Sequence, residues 1–238
     1  MGTSVVVGAS GGLGAAVLTR LAAERPGARL LALSRQRPEG LPPQADWARL
    51  DLTDEASIAA AAEALGAGES VDLVFVATGQ LHGPGLSPEK SWRSLDPDAL
   101  MAAFQVNAVG PALVAKHFLP RLARDRRAVF AALSARVGSI GDNRLGGWHG
   151  YRASKAALNQ MIRTLAIELA RQRPQAICVA LHPGTVDTAL SAPFQGGVAH
   201  EKLFTPDFAA EQLLAVLGGL TPADSGGFFA WDGTSVPW

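Results

Sequence analysis

Val5 to Gly14 reads V-V-V-G-A-S-G-G-L-G, an apolar β-branched run that passes through glycines 8, 12 and 14 into a segment of helical period. A strand that ends in such a turn and opens a helix aims backbone N–H groups and the helix N-terminus at one point, which suits a phosphate. Gly8 permits the turn, Gly12 lets a phosphate approach the backbone, and Gly14 lets helix and strand pack closely. By itself the GxxxGxG spacing fits a plain glycine-rich strand–helix turn equally well.

Outward from that turn, strand-length apolar runs alternate with longer helical segments. Strands are expected at Ser4–Val7, Arg29–Leu33, Trp47–Leu52, Val71–Ala77, Ala128–Leu133, Ala176–Leu181 and Gly227–Trp231. Helices are expected at Gly12–Glu24, Glu55–Leu65, Asp98–Arg124, Tyr151–Gln172 and Asp207–Leu217. Pro26-Gly27 closes the first helix and Pro97-Asp98 opens the third. The alternation predicts βαβ units with right-handed crossovers. The expected fold class is therefore α/β, a Rossmann-type doubly wound parallel sheet of about seven strands in a three-layer α/β/α sandwich. No linker, low-complexity segment or repeat divides residues 1–238, so one domain is expected. Gln80–Arg93, Gly138–Gly150 and Asp187–Pro206 break the alternation, each after a strand. They are expected at the carboxyl edge of the sheet, where open α/β folds bind ligands.

Composition narrows the function classes. Lys+Arg and Asp+Glu both total 21 and no basic run stands out, which argues against a nucleic-acid partner. Hydrophobic residues make up 48% and charged residues 18%, the balance of a chain with buried parallel strands. The single cysteine, Cys178, excludes an internal disulfide framework and reads as a small buried residue. The first strand begins with no charged leader or cleavage signal before it, and position 6 is Val where a myristoylation motif needs Ser or Thr. No apolar run approaches about 18 residues, so no membrane span is expected, and a reducing cytoplasm is the expected compartment. His82, His117 and His200 lack metal-ligand spacing with Asp, Glu or Cys, so no metal is expected.

The second strand ends L-A-L-S-R, with Arg35 21 residues beyond Gly14. A dinucleotide site with a free adenosine 2′-OH usually carries Asp or Glu there. Ser34 and Arg35, with Arg37 close behind, instead form a donor-rich cluster suited to a 2′-phosphate. NADP(H) is thus the preferred cofactor, with NAD(H) still possible; the plainer reading is solvated arginines after a strand. Asp51, in R-L-D-L-T-D, suits either the adenine amino group or a cap before the next helix.

Tyr151, in G-Y-R-A-S-K-A, is the only tyrosine, and Lys155 follows four residues later. On a helix the two share a face about 6 Å apart. A phenol near pKa 10 is a poor acid or base at neutral pH, and an adjacent ammonium lowers that pKa. The pair reads as a proton donor and its electrostatic tuner; the plainer alternative is two residues on a solvated helix face.

Together G-A-S-G-G-L-G, the lone Y-R-A-S-K and H-P-G-T-V-D-T resemble the short-chain dehydrogenase/reductase family over essentially the whole chain. Within it, G-S-I-G-D-N-R-L-G-G-W and the ending W-D-G-T-S-V-P-W are similar to the C-factor-like or sniffer-like carbonyl reductase branch. The resemblance implies hydride transfer between a nicotinamide and a carbonyl or alcohol, with Tyr151 as proton donor. Lys155 would lower the Tyr151 pKa and hold the nicotinamide ribose, and Asn107 would hold a water that relays protons to the lysine. The implied cofactor contacts are Gly8, Ser10, Gly12, Leu13, Gly14, Ser34, Arg35, Asp51, Leu52, Gly79, Tyr151, Lys155, Pro183, Gly184, Val186 and Thr188. It also implies a homodimer or homotetramer, packed through the faces around Ala103–Leu119 and Ala156–Leu169, although burial within one subunit explains part of that pattern. The alternative function is a nucleotide-binding regulatory or signalling protein of the C-factor type that needs no turnover.

The chain departs from the family twice. V-A-T-G, Val76 to Gly79, stands where N-N-A-G is usual, and the position of the family's catalytic serine, three before Gly138, holds Ala135. Ser134 is expected to supply that hydrogen bond through a bulge at the strand end, with Ser139 as understudy. Trp148 and His149 line a substrate mouth or a surface loop, and His182 ends a strand.

Overall fold

The computed structural model describes residues 2–66, 68–83 and 86–238. Among these residues nine strands and six helices follow one another as β1 (Thr3–Val7), α1 (Gly12–Glu24), β2 (Leu30–Ser34), β3 (Ala45–Arg49), α2 (Glu55–Glu63), β4 (Val71–Val76), α3 (Pro97–Phe104), α4 (Gly110–Phe118), β5 (Ala128–Leu133), α5 (His149–Gln172), β6 (Ala176–His182), β7 (Thr185–Val186), β8 (Leu203–Phe204), α6 (Pro206–Gly219) and β9 (Phe228–Ala230). Seven strands form one parallel sheet in the order β3-β2-β1-β4-β5-β6-β9, with β7 and β8 as a separate two-stranded pair. The expected doubly wound sheet is borne out. Pro84 and Gly85, inside the expected irregular segment Gln80–Arg93, lie outside the described residues.

Both faces of the sheet are covered, so its central strands read as unbroken apolar runs instead of alternating ones. Val5 and Val7 face α2, α4 and α5, where Ile58, Val114, Phe118, Leu158 and Ile162 complete one core. Val6 faces the other way, toward Leu13, Val17 and Leu21 of α1 and Leu213 and Leu217 of α6. Strand order reverses direction at β1, which pairs with β2 on one side and β4 on the other. That switch point opens a crevice at the carboxyl ends of the strands.

Three expectations need correction. The third helix, expected unbroken over Asp98–Arg124, is α3, a π turn at Gln105–Val109, α4 and a 3₁₀ turn at Leu119–Arg121. Pro111 has no N–H to give the preceding turn and its ring crowds the carbonyl there, so the backbone widens just before it. The whole run Pro97–Arg121 is also long and apolar enough to cross a membrane by length and composition, contrary to the expectation that no such run exists. Its inner face, including Ala103, Val114, Ala115 and Phe118, is packed inside the sandwich. The third strand, expected at Trp47–Leu52, starts and stops earlier because Asp51 folds back on Thr53, its Oδ1 accepting from Thr53 N at 3.0 Å and Thr53 Oγ1 at 2.8 Å.

Phe118, fully buried between α4 and the sheet, is a direct probe of this core. Phe118→Ala is expected to cost about 3–5 kcal/mol, read as a lower urea midpoint at unchanged m-value.

Candidate active site

The catalytic helix candidate, α5, carries Tyr151 and Lys155 on its inner face, 9% and 2% exposed. Lys155 Nζ donates to the Leu133 carbonyl at the end of β5, 2.8 Å away, and stands 5.9 Å from the centre of the Tyr151 ring. The close approach depends on Gly138, where a methyl group would lie 2.7 Å from Lys155 Cβ. Asn107, buried in the π turn, reaches the same place. Its Oδ1 accepts from Gln80 N at 2.7 Å, while Nδ2 donates to Gln80 O at 2.8 Å and Ser154 Oγ at 3.0 Å. A methyl on Gly79 would sit 3.4 Å from Lys155 Nζ and 3.8 Å from Asn107 Oδ1, so this glycine keeps the floor open. Both amide hydrogens of Asn107 are thus engaged by protein.

Above these groups lies a cavity of about 480 Å³ at the carboxyl edge of the sheet. Gly11, Gly12 and Leu13 border it on one side, Pro183, Gly184, Val186 and Thr188 on another, and Tyr151 and Lys155 lie at its base. Gly8 takes φ +84, and a side chain at Gly14 would lie 2.2 Å from the Gly8 carbonyl oxygen, so the glycine-rich turn closes as its spacing requires. Gly184, φ +78, carries the chain between Phe204 and Trp231. The mouth is aromatic. Trp148 packs edge-on to Tyr151 and to Phe194, with ring centres 6.3 Å and 5.1 Å apart, and Phe194 meets His82 at 5.7 Å.

The remaining expected contacts divide. Arg35 and Arg37 are exposed at the end of β2 and make no hydrogen bond or ion pair among the described residues. Ser34 is 4% exposed and already satisfied: its hydroxyl donates to Gln36 O at 2.6 Å and accepts from Trp47 Nε1 at 3.1 Å. Asp51 keeps its Oδ1 on Thr53, and Asp54, not Asp51, caps α2. Ser10 is exposed beside the glycine-rich turn, whereas the Leu52 side chain is packed in the core. Thr188 faces Gly12, whose added methyl would approach Thr188 Cγ2 at 3.0 Å.

The bulge expected at Ser134 does not form. The β5–β6 register runs unbroken to Leu133↔Leu181, and Ser134 N donates to Leu181 O at 2.7 Å. Regular alternation then turns the Ser134 hydroxyl to Asn159 Oδ1, to which it donates at 2.6 Å, so its hydrogen is directed away from the cavity it borders. Ser139 accepts from Asp142 N at 3.1 Å and does not line the cavity. Ala135 does, and it has no hydrogen to give.

The short chain dehydrogenase family pattern matches residues 3–197. The chain belongs to the short-chain dehydrogenase family. This short-chain dehydrogenase is 39% identical over 136 residues to the C-signal protein of Myxococcus xanthus, covering 57% of this chain and 76% of that one. It is 33% identical over 190 residues to 1-hydroxy-2-glutathionyl-2-methyl-3-butene dehydrogenase of a Rhodococcus species, covering 79% of this chain and 78% of that one. Its fold superposes on the NADPH-bound carbonyl reductase from chicken fatty liver with a TM-score of 0.86 at 27% identity, over 100% of this chain and 98% of that one.

In this short-chain dehydrogenase, burial overrides the attraction expected between phenol and ammonium. Loss of solvent pushes Tyr151 up to about 12 and Lys155 down to about 7. Sequence reading missed Thr78, whose buried hydroxyl beside the cavity has no partner among the described residues, and Glu89, whose carboxylate meets the start of α5. Neither carries a sequence signal: one replaces a family asparagine's neighbour, and the other is an acid in a polar loop.

The Lys155 shift carries a sign. Between about pH 7 and 10.5 the folded chain holds fewer protons at this lysine than the unfolded one, so its contribution to stability rises with pH across that window and levels off below about 7. Lys155→Met should flatten that rise in denaturation midpoints measured from pH 7 to 10.

Proposed function

We propose that this oxidoreductase is an NADPH-dependent carbonyl reductase in which Tyr151 protonates the carbonyl oxygen. The observation that carries the reading is the phenol–lysine pair buried at the base of an apolar cavity beside a glycine-rich turn. The bound nicotinamide would supply the hydride. Burial raises the Tyr151 pKa and so disfavours the phenolate, the charge that a nearby Lys155 ammonium would offset as the proton leaves. Lys155, anchored on the Leu133 carbonyl, stands where it can hold ribose hydroxyls and favour charge leaving the phenol. With Ala135 in the cavity wall and Ser134 turned to Asn159, Tyr151 acts without a serine partner. Gly8, Gly12 and Gly14 would admit the pyrophosphate, and Thr188 and Val186 the carboxamide end. At the far end Arg35 and Arg37, without a hydrogen-bond or ion-pair partner among the described residues, suit a 2′-phosphate; Ser34 is left out of that contact by its own hydrogen bonds. The largely apolar lining, with Trp148 and Phe194 at the mouth, suits a small carbonyl compound.

The similarity to C-signal favours one competing reading, a signalling protein that binds nucleotide without needing turnover. Four exposed apolar residues on α3–α5, Met101, Val109, Met161 and Ile167, support a homo-oligomer, in a cytoplasmic setting consistent with the buried free Cys178.

Tyr151→Phe is expected to lower kcat for ketone or aldehyde reduction by about a hundred- to ten-thousandfold while leaving the Kd for NADPH near wild type. Wild-type turnover in that variant would defeat the mechanism; undiminished biological output without turnover would favour the signalling reading. Arg35→Asp should weaken NADPH by roughly ten- to a hundredfold and spare NADH, measured by titration of intrinsic fluorescence.

A further inference from the structure

Glu89 lies in the irregular segment after β4, 7% exposed, and holds the start of α5 from 61 residues away. Its two carboxylate oxygens each stand 3.2 Å from Gly150 N, and its main-chain carbonyl accepts from Trp148 N at 2.5 Å. The seat is cut to fit. A methyl group on Gly150 would lie 2.9 Å from Glu89 Oε1.

The helix has no cap of its own. Trp148, at the N-cap position, is the only non-glycine residue with positive φ among the described residues, at φ 52 and ψ 43, and makes no side-chain capping bond. A buried carboxylate on the first free N–H groups of a helix both satisfies a donor and opposes the helix dipole. The residue after Gly150 is Tyr151, and the residue two before it is Trp148, whose ring packs on Tyr151 and Phe194. One residue therefore meets both, its carboxylate next to the proton donor and its main-chain carbonyl on Trp148.

We propose that Glu89 is a positioning residue: its carboxylate fixes the first turn of α5 and thereby the Tyr151 phenol, while its main-chain carbonyl holds Trp148 in the wall of the substrate cavity. The role rests on the carbonyl-reductase reading for its effect on rate, but the anchoring itself does not. Glu89 touches neither the reacting atoms nor the glycine-rich turn, so cofactor affinity should not depend on it. The amide of Glu89→Gln keeps an oxygen that can accept from Gly150, whereas Glu89→Ala keeps none.

The test pairs amide hydrogen exchange with kinetics on the full-length chain. Glu89→Ala should speed exchange at Gly150 by roughly tenfold, the loss of one good hydrogen bond. It should also lower kcat by about tenfold or more, since small misplacement of a reacting group is costly, with the Kd for NADPH within about twofold of wild type. Glu89→Gln should restore most of the rate and the protection. Faster exchange with unchanged kcat, or equal losses in Gln and Ala variants, would overturn the positioning role. Should Glu89→Ala fail to fold, Gly150→Ala serves in its place: it should displace the carboxylate and lower kcat at unchanged cofactor Kd, and a wild-type rate there would overturn the role equally. A wild-type chain with no turnover on any carbonyl would sink the reductase reading alone, and the anchor would then stand or fall on the exchange data.

Discussion

Everything at the active site depends on how tightly α5 is pressed against the end of β5. A lysine with 2% of its surface exposed has exchanged bulk water for one carbonyl acceptor, Leu133 O, and can do so only where no other group intervenes. Gly138 is the residue that makes room: its missing side chain is what lets the turn after β5 lie on the Lys155 backbone. With that contact set, Tyr151 one turn earlier must fall at the cavity base, and the Asn107 amide must settle on Gln80 and Ser154. The cost of desolvating an ammonium is large unless it is compensated. A pKa lowered to about 7 is how that cost shows.

The same desolvation redraws the expected chemistry of the pair. Read from the sequence, the lysine tunes the tyrosine downward by charge. In the folded chain both groups are driven toward their neutral forms, because removal of water acts on each separately and outweighs an attraction across 5.9 Å to the ring. Burial therefore opposes the phenolate and the ammonium alike, and any tuning of one by the other has to work against that desolvation.

Much of this was legible in the residues. Buried parallel strands announce themselves as continuous runs such as V-V-V and L-V-F-V, and glycines at 8, 12 and 14 have no other use as economical as a tight strand–helix turn. Tyr151 and Lys155 were visible because helical spacing is local. What escaped was non-local or directional. Whether Ser134 faces the cavity depends on the unbroken β5–β6 register, and whether Ser34 is free depends on Trp47 across a neighbouring strand. The π turn needed Pro111 to be weighed against a strong helical period, and Glu89 is meaningful only because the chain returns 61 residues later to lay Gly150 on it.

The strand order has a consequence for how the molecule comes together in time. β1 is central, yet its second neighbour, β4, begins at Val71, after two further strands have been added on the opposite side. Until β4 arrives, one edge of β1 offers unpaired backbone to any passing strand, and the apolar faces of α1 and β2 have only half their cover. All-parallel pairing demands that long loops close before contacts reward them, which makes assembly slow relative to a helical bundle of this length. A chain emerging from the ribosome would therefore spend its early life as an open-edged, sticky half-sheet, the stage at which chaperone capture competes with aggregation.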